Sequence, residues 1–464
     1  MAVSWDGVNL TDLNNFMKDY PSGRIVPDEM VDWPLLDALK PNLNTEQFIG
    51  DNVEVLIKDT RPYTGKAHYE NADIPYPGTM SFVKQLIPLR EVIVNAGLTR
   101  QALNRAIGGN SSWGRVVDEV LRDQKIDFNW LLNTGLLGNG SGAVARVVSA
   151  ANADSVTTIT CDNNYTDSGI ENVQLLKVGQ QVEIYASNLT SQRTGAASVA
   201  QFEVTAVNFG DRANSTAATG TFGVADDGTL QAMLADNDVV YIYDALTSGV
   251  TGPMSMGLTG IVQGSGDDYA GAFDLTTFQN LTRASYTSLL GRVYQATDFA
   301  TGATDGTPDD WDLTVISDAI KDVARGTGRG KVSHLLCGSD LAMAISRRNV
   351  AESSITVNVS QTTQMNQTVA GSEYAQKFLC PDGRVIPILI ADTIPENCLY
   401  GITADDLVWH VKGGFDFLRM SGRVWDKSYN DRKTNFEAPF GGYMQISANR
   451  CDNCFCIQDM LTNI

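Results

Sequence analysis

The order of patterns along the chain predicts an α+β fold carrying an inserted β-rich segment, and three observations predict it. Apolar residues alternate with a period of two on either side of a long loop, around 53–57 and 81–94. One stretch, 112–134, holds helical spacing without interruption. Beyond Asp310 helical and strand patterns alternate, and ahead of them lies a Thr-, Asn-, Ala- and Gly-rich segment, 148–250, that shows short strand patterns.

Composition sets the outer limits. The 464 residues include 34 Lys+Arg and 54 Asp+Glu, so the net charge is 34 − 54 = −20. Hydrophobic residues at 43% and charged residues at 19% are those of a globular chain. At roughly 150 residues per domain the length corresponds to about three domains. So acidic a chain is a poor general binder of nucleic acid, which needs a surplus of Lys and Arg on some face. The opening MAVSWDGVNL has neither a basic nor an apolar signal region. No apolar run reaches the roughly 20 residues that span a bilayer, so no membrane partner is expected. Seven cysteines, an odd number crowded toward the end, do not read as a disulfide framework, and a reducing cytoplasm is expected.

Taken in order, the first fifty residues hold two short helix candidates. Leu13, Phe16 and Met17 follow Thr11, and Asp28 precedes Met30 to Leu39. Four prolines cut the region up, so it reads as an arm lying over something else. Val53, Val55 and Ile57 then alternate with polar neighbours, and a second strand runs from Ser81 to Val94. The intervening RPYTGKAHYENADIPYPG is too long for a tight turn, which makes this a two-stranded loop with a broad tip. A bare ribbon exposes its edges and is marginally stable, so it is expected to rest on another subunit.

Ser112 caps the long helix, Trp113, Val117, Val120, Leu121, Phe128, Leu131 and Leu132 form its stripe, and Gly135 is the expected stop. At 1.5 Å per residue it spans about 35 Å. Within 148–250, strands are expected at Ser155–Thr160, Gln181–Ala186, Gln201–Val207 and Asp238–Tyr243, with a helix near Leu230–Leu234. This segment has 3 basic and 12 acidic residues, a net of 3 − 12 = −9, which fits a solvent-facing β domain. Further on, Leu313, Ile316, Ile320 and Val323 make an amphipathic helix ending at Arg325 and Gly326. Strands follow at Lys331–Cys337, Val385–Ile390 and Leu399–Ile402, with a helix at Ser339–Arg348. The polar 356–371 stretch is a loop, and the last sixty residues are strand-like.

A search for chemistry finds no enzyme signature. His68, His334 and His410 lack metal-ligand spacing, and His334 and Cys337 fall on opposite faces of one strand. GTGRGK (326–331) lacks the phosphate-loop spacing and follows a helix where such a loop opens one, so it reads as a helix C-cap and turn. DGTPDDWD (305–312) lacks the calcium-loop spacing. Cys451, Cys454 and Cys456 offer part of a zinc site that Cys380 or Cys398 would complete. Strand alternation instead separates Cys451 from the other two, and free cysteine is a common small core residue. No catalytic residue, cofactor or metal is expected, with zinc at those three cysteines the lesser alternative.

The order of these elements resembles the major capsid proteins of tailed bacteriophages. Local phrases carry the likeness too: LLNTGLLGNGSG at the helix exit, MGLTGIVQG (256–264) with FQNLTRASY (278–286) as peripheral strands, RVIPILIADTIPENCLYGI (384–402) as an axial strand pair, and the closing MQISANRCDNCFCIQDM. The resemblance implies the Hong Kong-type capsid fold: an N-terminal arm (1–50), an E-loop (51–96), a peripheral domain with spine helix (97–147 and 251–310), an axial domain (311–405) and closing strands (406–464). The segment 148–250 resembles the inserted domains of some members.

It further implies a shell-forming homo-oligomer of pentamers and hexamers, assembled in the host cytoplasm, resident in the virion and enclosing double-stranded DNA without reading its sequence. The family's long N-terminal scaffolding extension has no counterpart before the E-loop at 51, so the scaffold is expected either as a separate scaffolding protein or as a segment removed from this chain; the resemblance also implies a portal and, in some members, a decoration or cement protein as partners. The loop tip supplies the candidate subunit interface: Arg61, Tyr63, Lys66, His68, Tyr69 and Tyr76, aromatic anchors beside charge-assisted contacts. Some relatives cross-link through an E-loop lysine, which makes Lys66 the candidate, although an interface or solvent charge is the plainer role. An encapsulin-like nanocompartment is the runner-up within the fold, and a β-rich adhesin or glycan-binding protein the alternative from another class.

Overall fold

The computed structural model describes residues 43–44, 52–60, 79–99, 112–140, 313–326, 330–353, 435–458 and Met460, and parts of 142–242, 254–295 and 377–427. Both expected N-terminal helices, the acidic 305–312 cluster and the 356–371 loop lie outside these residues. From the arm, β1 (Leu43–Asn44) is described.

The two-stranded loop is present. β2 (Asn52–Thr60) runs antiparallel to β3 (Ser81–Pro88), with Val53 opposite Ile87 and Lys58 opposite Phe82. The expected strand through Val94 divides at Leu89, because the chain changes partners there. β3 belongs to the ribbon, whereas β4 (Arg90–Thr99) joins a separate sheet. Pro88 suits the break, since its nitrogen cannot donate to a ladder.

Helix α1 (Ser112–Leu137) has 26 residues and is about 39 Å long. It does not stop at Gly135. Leu136 and Leu137 are buried, and their packing carries the helix past the glycine. Gly138 N closes the last turn on Thr134 O at 2.9 Å, and Gly140 and Gly142 turn the chain with φ of 87° and 81°. Gly257 seals this end. A Cβ there would lie 2.4–2.5 Å from the carbonyl oxygens of Gly135, Leu136 and Gly138, so the close approach requires glycine.

The segment after α1 is a closed antiparallel barrel of six strands. They are β5 (Ala143–Ala153), β6 (Val156–Asp162), β7 (Gln181–Tyr185), β8 (Phe202–Asn208), β9 (Thr219–Ala225) and β10 (Val239–Ile242). The order is β10-β5-β6-β9-β8-β7, and β10 also pairs with β7 to close the ring. A short helix, α2 (Thr229–Met233), crosses between β9 and β10. Val147, Ile159, Val182, Ile184, Phe222 and Val240 are among the residues that fill the interior. β5 and β9 carry no clear alternation in sequence, and the barrel starts at Ala143, ahead of the expected 148.

MGLTGIVQG is not strand. Its centre forms α3 (Leu258–Val262), every residue of which is buried. Five apolar or small residues enclosed on all sides satisfy their backbone locally in a helical turn, whereas a strand would need a neighbour. Next come β11 (Thr277–Phe278) and β12 (Leu281–Thr282), joined through Gln279 and Asn280, both at positive φ (48° and 67°) as a type I′ turn demands.

The C-terminal half builds two sheets. β13 (Arg292–Gln295), α4 (Leu313–Arg325), β14 (His334–Cys337), α5 (Ser339–Ser353), β15 (Lys377–Leu379), β16 (Val385–Ile390) and β17 (Leu399–Ile402) lead into β18 (Leu407–Phe417), β19 (Asp426–Lys427), β20 (Asn435–Ala448) and β21 (Phe455–Gln458). One mixed sheet has the order β13-β21-β17-β14-β16-β15. The expected 384–402 strand pair is in it, but β14 lies between the two strands. Leu335, Cys337 and Ile388 pack with α4 and α5 in one core, while Leu336, Tyr400 and Ile402 belong to the other core, as a period of two requires. The second sheet pairs β20 with β4, β18 and β19, and β1 adds to β18 in parallel. Helix α1 lies on it: Gln124 donates to Val94 O (2.7 Å) and to Ala438 O, and Phe128 meets Phe415 and Phe440 edge-on at 4.9 Å.

Candidate interaction surfaces

The ribbon has two unlike faces. Val53 and Ile87 point inward and form a small core with Leu89. Glu54, Leu56 and Lys58 on β2, with Phe82 and Lys84 on β3, point outward. Leu56 is 71% exposed and Phe82, its diagonal neighbour, 59%. Beside them Lys84 pairs with Glu54, and Met80 is exposed at the approach to the tip. Two large apolar side chains thus stand side by side on the outward face.

The base of the ribbon is pinned by amides. Gln85 occupies the inward parity, fully buried, and its Nε2 donates to Gln279 Oε1. Gln279 Nε2 donates onward to Ile446 O at 2.9 Å, and Leu86 N donates to Gln279 O at 3.4 Å. The chain β3–Gln279–β20 thus ties ribbon to sheet. Composition does not reveal this tie; the signal for it in the sequence is a glutamine on the same parity as Val83 and Ile87.

Where the two C-terminal sheets meet, a polar joint forms. Arg450 holds Asp452 with two bonds of 2.9 and 2.8 Å, Arg292 Nε donates to Asp452 O (3.0 Å), and Arg292 also pairs with Asp322. Asn453 Nδ2 donates to Asp406 at 2.6 Å, and Thr403 Oγ1 donates to Asn453 O at 2.9 Å. Burial raises the pKa of Asp406 above its ordinary range, opposed by the Asn453 bond and Arg450.

The tip residues Arg61, Tyr63, Lys66, His68, Tyr69 and Tyr76 lie outside the described residues. Cys451, Cys454 and Cys456 are buried. A tight turn joins the first two, Cys454 N donating to Cys451 O at 3.0 Å, and burial pushes both of their thiols up to about 12. Cys380 packs in the other core. Among the described residues no three His, Cys, Asp or Glu side chains gather at metal-binding distance. His334 is half-buried beside Ser333 Oγ (2.9 Å), and burial lowers its pKa. Gly326 N bonds to Asp322 O (2.9 Å), the helix-closing role expected of it. Among the described residues no helix is long and apolar enough to cross a membrane.

No protein-family model matches the sequence, and no curated protein matches it. Among solved structures, the chain is similar to one in the capsid asymmetric unit of cyanophage A-1(L), at 12% identity over 95% of this chain and 96% of that one, with a TM-score of 0.51. It is also similar to the capsid of Myoviridae phage XM1 (8% identity, 96% and 97% covered, TM-score 0.44) and to a holo-encapsulin complex from Synechococcus elongatus (7%, 97% and 96%, 0.41). The first likeness extends over nearly the whole of both chains and defines the class: this chain has a phage capsid protein fold. The other two fall below a TM-score of 0.5 and add nothing to that conclusion.

Proposed function

We propose that the chain is a major capsid protein that self-assembles into the icosahedral shell around phage double-stranded DNA. The observation that carries the reading is the fold shared end to end with the cyanophage A-1(L) capsid chain. The outward Leu56–Phe82 face of the ribbon supports it, because such a face gains nothing in a lone subunit and much when laid on a neighbour.

On this reading the Hong Kong-type parts map onto the chain as N-terminal arm 1–50, E-loop 51–96, peripheral domain with spine helix 97–147 and 251–310, inserted domain 148–250, axial domain 311–405 and closing strands 406–464. Arg61, Tyr63, Lys66, His68, Tyr69 and Tyr76 are the proposed tip contacts. The role is structural, without catalysis. A separate scaffolding protein, a portal and a decoration or cement protein are proposed partners, and host cytoplasm the place of assembly. The Pro- and Gly-rich stretch 59–80 is the proposed hinge when a precursor shell rearranges. Packaged DNA meets an acidic wall, its repulsion screened beyond roughly 10 Å by salt.

Negative-stain microscopy of the expressed chain tests this directly. Closed, uniform shells are expected, and deletion of 62–77 should give a folded subunit that forms none. A chain that stays monomeric with and without a co-expressed scaffold counts against the reading, and wild-type shells from the deletion count against the ribbon's part in it.

A further inference from the structure

The turn at Cys451–Cys454 carries the chain from one C-terminal sheet to the other, between the end of β20 at Ala448 and the start of β21 at Phe455. Cys454 N donates to Cys451 O at 3.0 Å, which closes a four-residue turn, and Cys451 N donates to Ser288 O at 2.8 Å. Such a turn holds its first and last Cα within about 7 Å, and a disulfide spans roughly 4.4–6.8 Å between Cα atoms. Both side chains are fully buried in the same core. Cys456 shares that core but does not compete for either sulfur. Phe455, between it and Cys454, faces the other core, so the two cysteines stand as alternate residues of an extended chain. Their side chains are then parallel and about 6.6 Å apart, beyond the roughly 4.5 Å between Cβ atoms that a disulfide allows.

The two residues inside the turn carry the polar joint between the sheets: Asp452 is held by Arg450 and Arg292, and Asn453 by Asp406 and Thr403. A covalent bond across the turn would fix the joint's members in place. We propose that Cys451 and Cys454 are a modification site, closing into an intramolecular disulfide when the chain passes from reducing to oxidising surroundings and so locking the turn that holds the joint. The proposal does not depend on the shell reading. Burial keeps both thiols protonated in the closed turn, while the fully buried Arg283 favours the Cys451 thiolate and a backbone bond with Thr403 favours that of Cys454. Exchange therefore proceeds when the turn opens locally. With a small-molecule disulfide such as glutathione disulfide, the Cys451 thiolate attacks one sulfur and the first glutathione leaves as a thiol, taking a proton. Cys454 Sγ then attacks Cys451 Sγ and expels the second glutathione, which takes the other proton. The pair loses two electrons and two protons, and one glutathione disulfide is reduced to two thiols.

Mass mapping of the full chain reads the bond directly. Trypsin cleaves after Arg450 and releases 451–464, which carries Cys451, Cys454 and Cys456. The folded chain is held in glutathione buffers of rising disulfide content, quenched with acid, unfolded and alkylated with N-ethylmaleimide. In the oxidising buffers this peptide should carry one maleimide, on Cys456, and lack two hydrogens at a bond between Cys451 and Cys454. After dithiothreitol it should carry three. Three maleimides in every buffer, glutathione left attached to Cys451 or Cys454, or a bond that includes Cys456 overturns the proposal. Cys456→Ala should keep the bond, and its loss in that variant also overturns the pairing. Amides of 451–454 should exchange roughly tenfold more slowly in the oxidised chain than in the reduced one, a difference that Cys454→Ser should abolish. Equal rates in the oxidised and reduced wild type overturn the locking of the turn.

Discussion

His410 is 2% exposed, with Nε2 2.8 Å from Ser447 Oγ, and burial lowers its pKa to about 4. The unfolded chain takes up this proton near the ordinary pH of 6.5, ahead of the folded one. The stability tied to a neutral His410 is therefore complete above pH 6.5 and declines as pH falls toward 4, by roughly 3 kcal/mol in all. Urea unfolding of the unassembled subunit at pH 7.5 and pH 4.5 should show that loss, and His410→Asn should remove most of it. An equal loss in the variant would place the acid sensitivity elsewhere. Such a feature is not legible in sequence. His410 stands in a strand pattern like many others, and its enclosure comes from β20, some forty residues away. The cysteines teach the same: the cluster at 451–456 is conspicuous in sequence, but its burial by distant segments is not.

Among elements, the ribbon and its anchorage invite the sharpest test. Gln279→Asn keeps a residue that tolerates positive φ but shortens its reach to Gln85 and Ile446. Losing these buried bonds costs about 1–3 kcal/mol. Amide hydrogen exchange in 52–60 and 81–88 should quicken by roughly tenfold or more, while 407–417 stays protected. Uniform quickening across both regions would mean the glutamine supports the whole fold and does not hold the ribbon in particular. Elements with strong periodicity were legible: α1, α4, β2 and the strand at 385–390. The failures have physical causes. The burial of Leu136 and Leu137 overrode the expected stop at Gly135, a change of partner divided the strand at Leu89, and complete enclosure turned 258–262 into helix. β5 and β9 are built largely of Ala, Gly, Thr and Val, whose placement in a barrel shows no two-sided pattern until the ring is closed.

The whole molecule joins a two-sheet body to a barrel that the chain enters and leaves on paired strands, Ala143 opposite Tyr241. Paired residues in antiparallel strands lie about 5 Å apart, so the body experiences some hundred residues as little more than a turn. Closure removes edge strands from the barrel. A fragment spanning 140–245 should fold alone, with a cooperative thermal transition and native near-ultraviolet dichroism. A molten, non-cooperative fragment would show that the seam with α1, where Trp130 Nε1 donates to Leu175 O (3.2 Å) and Lys177 pairs with Asp127 (3.0 Å), is indispensable. The broad plan of an α+β chain with a β-rich insertion was legible from changes of period. The joint built from Arg292, Asp406, Arg450 and Asp452 was not, because its members come from three distant stretches of sequence.

The paired entry and exit of the barrel bear on history as much as on folding. A module tethered at one stem can be exchanged, enlarged or lost while the framework beneath it keeps its register. The barrel's sequence is then free to drift at its own pace, and the same stem becomes a socket into which a foreign domain can be spliced.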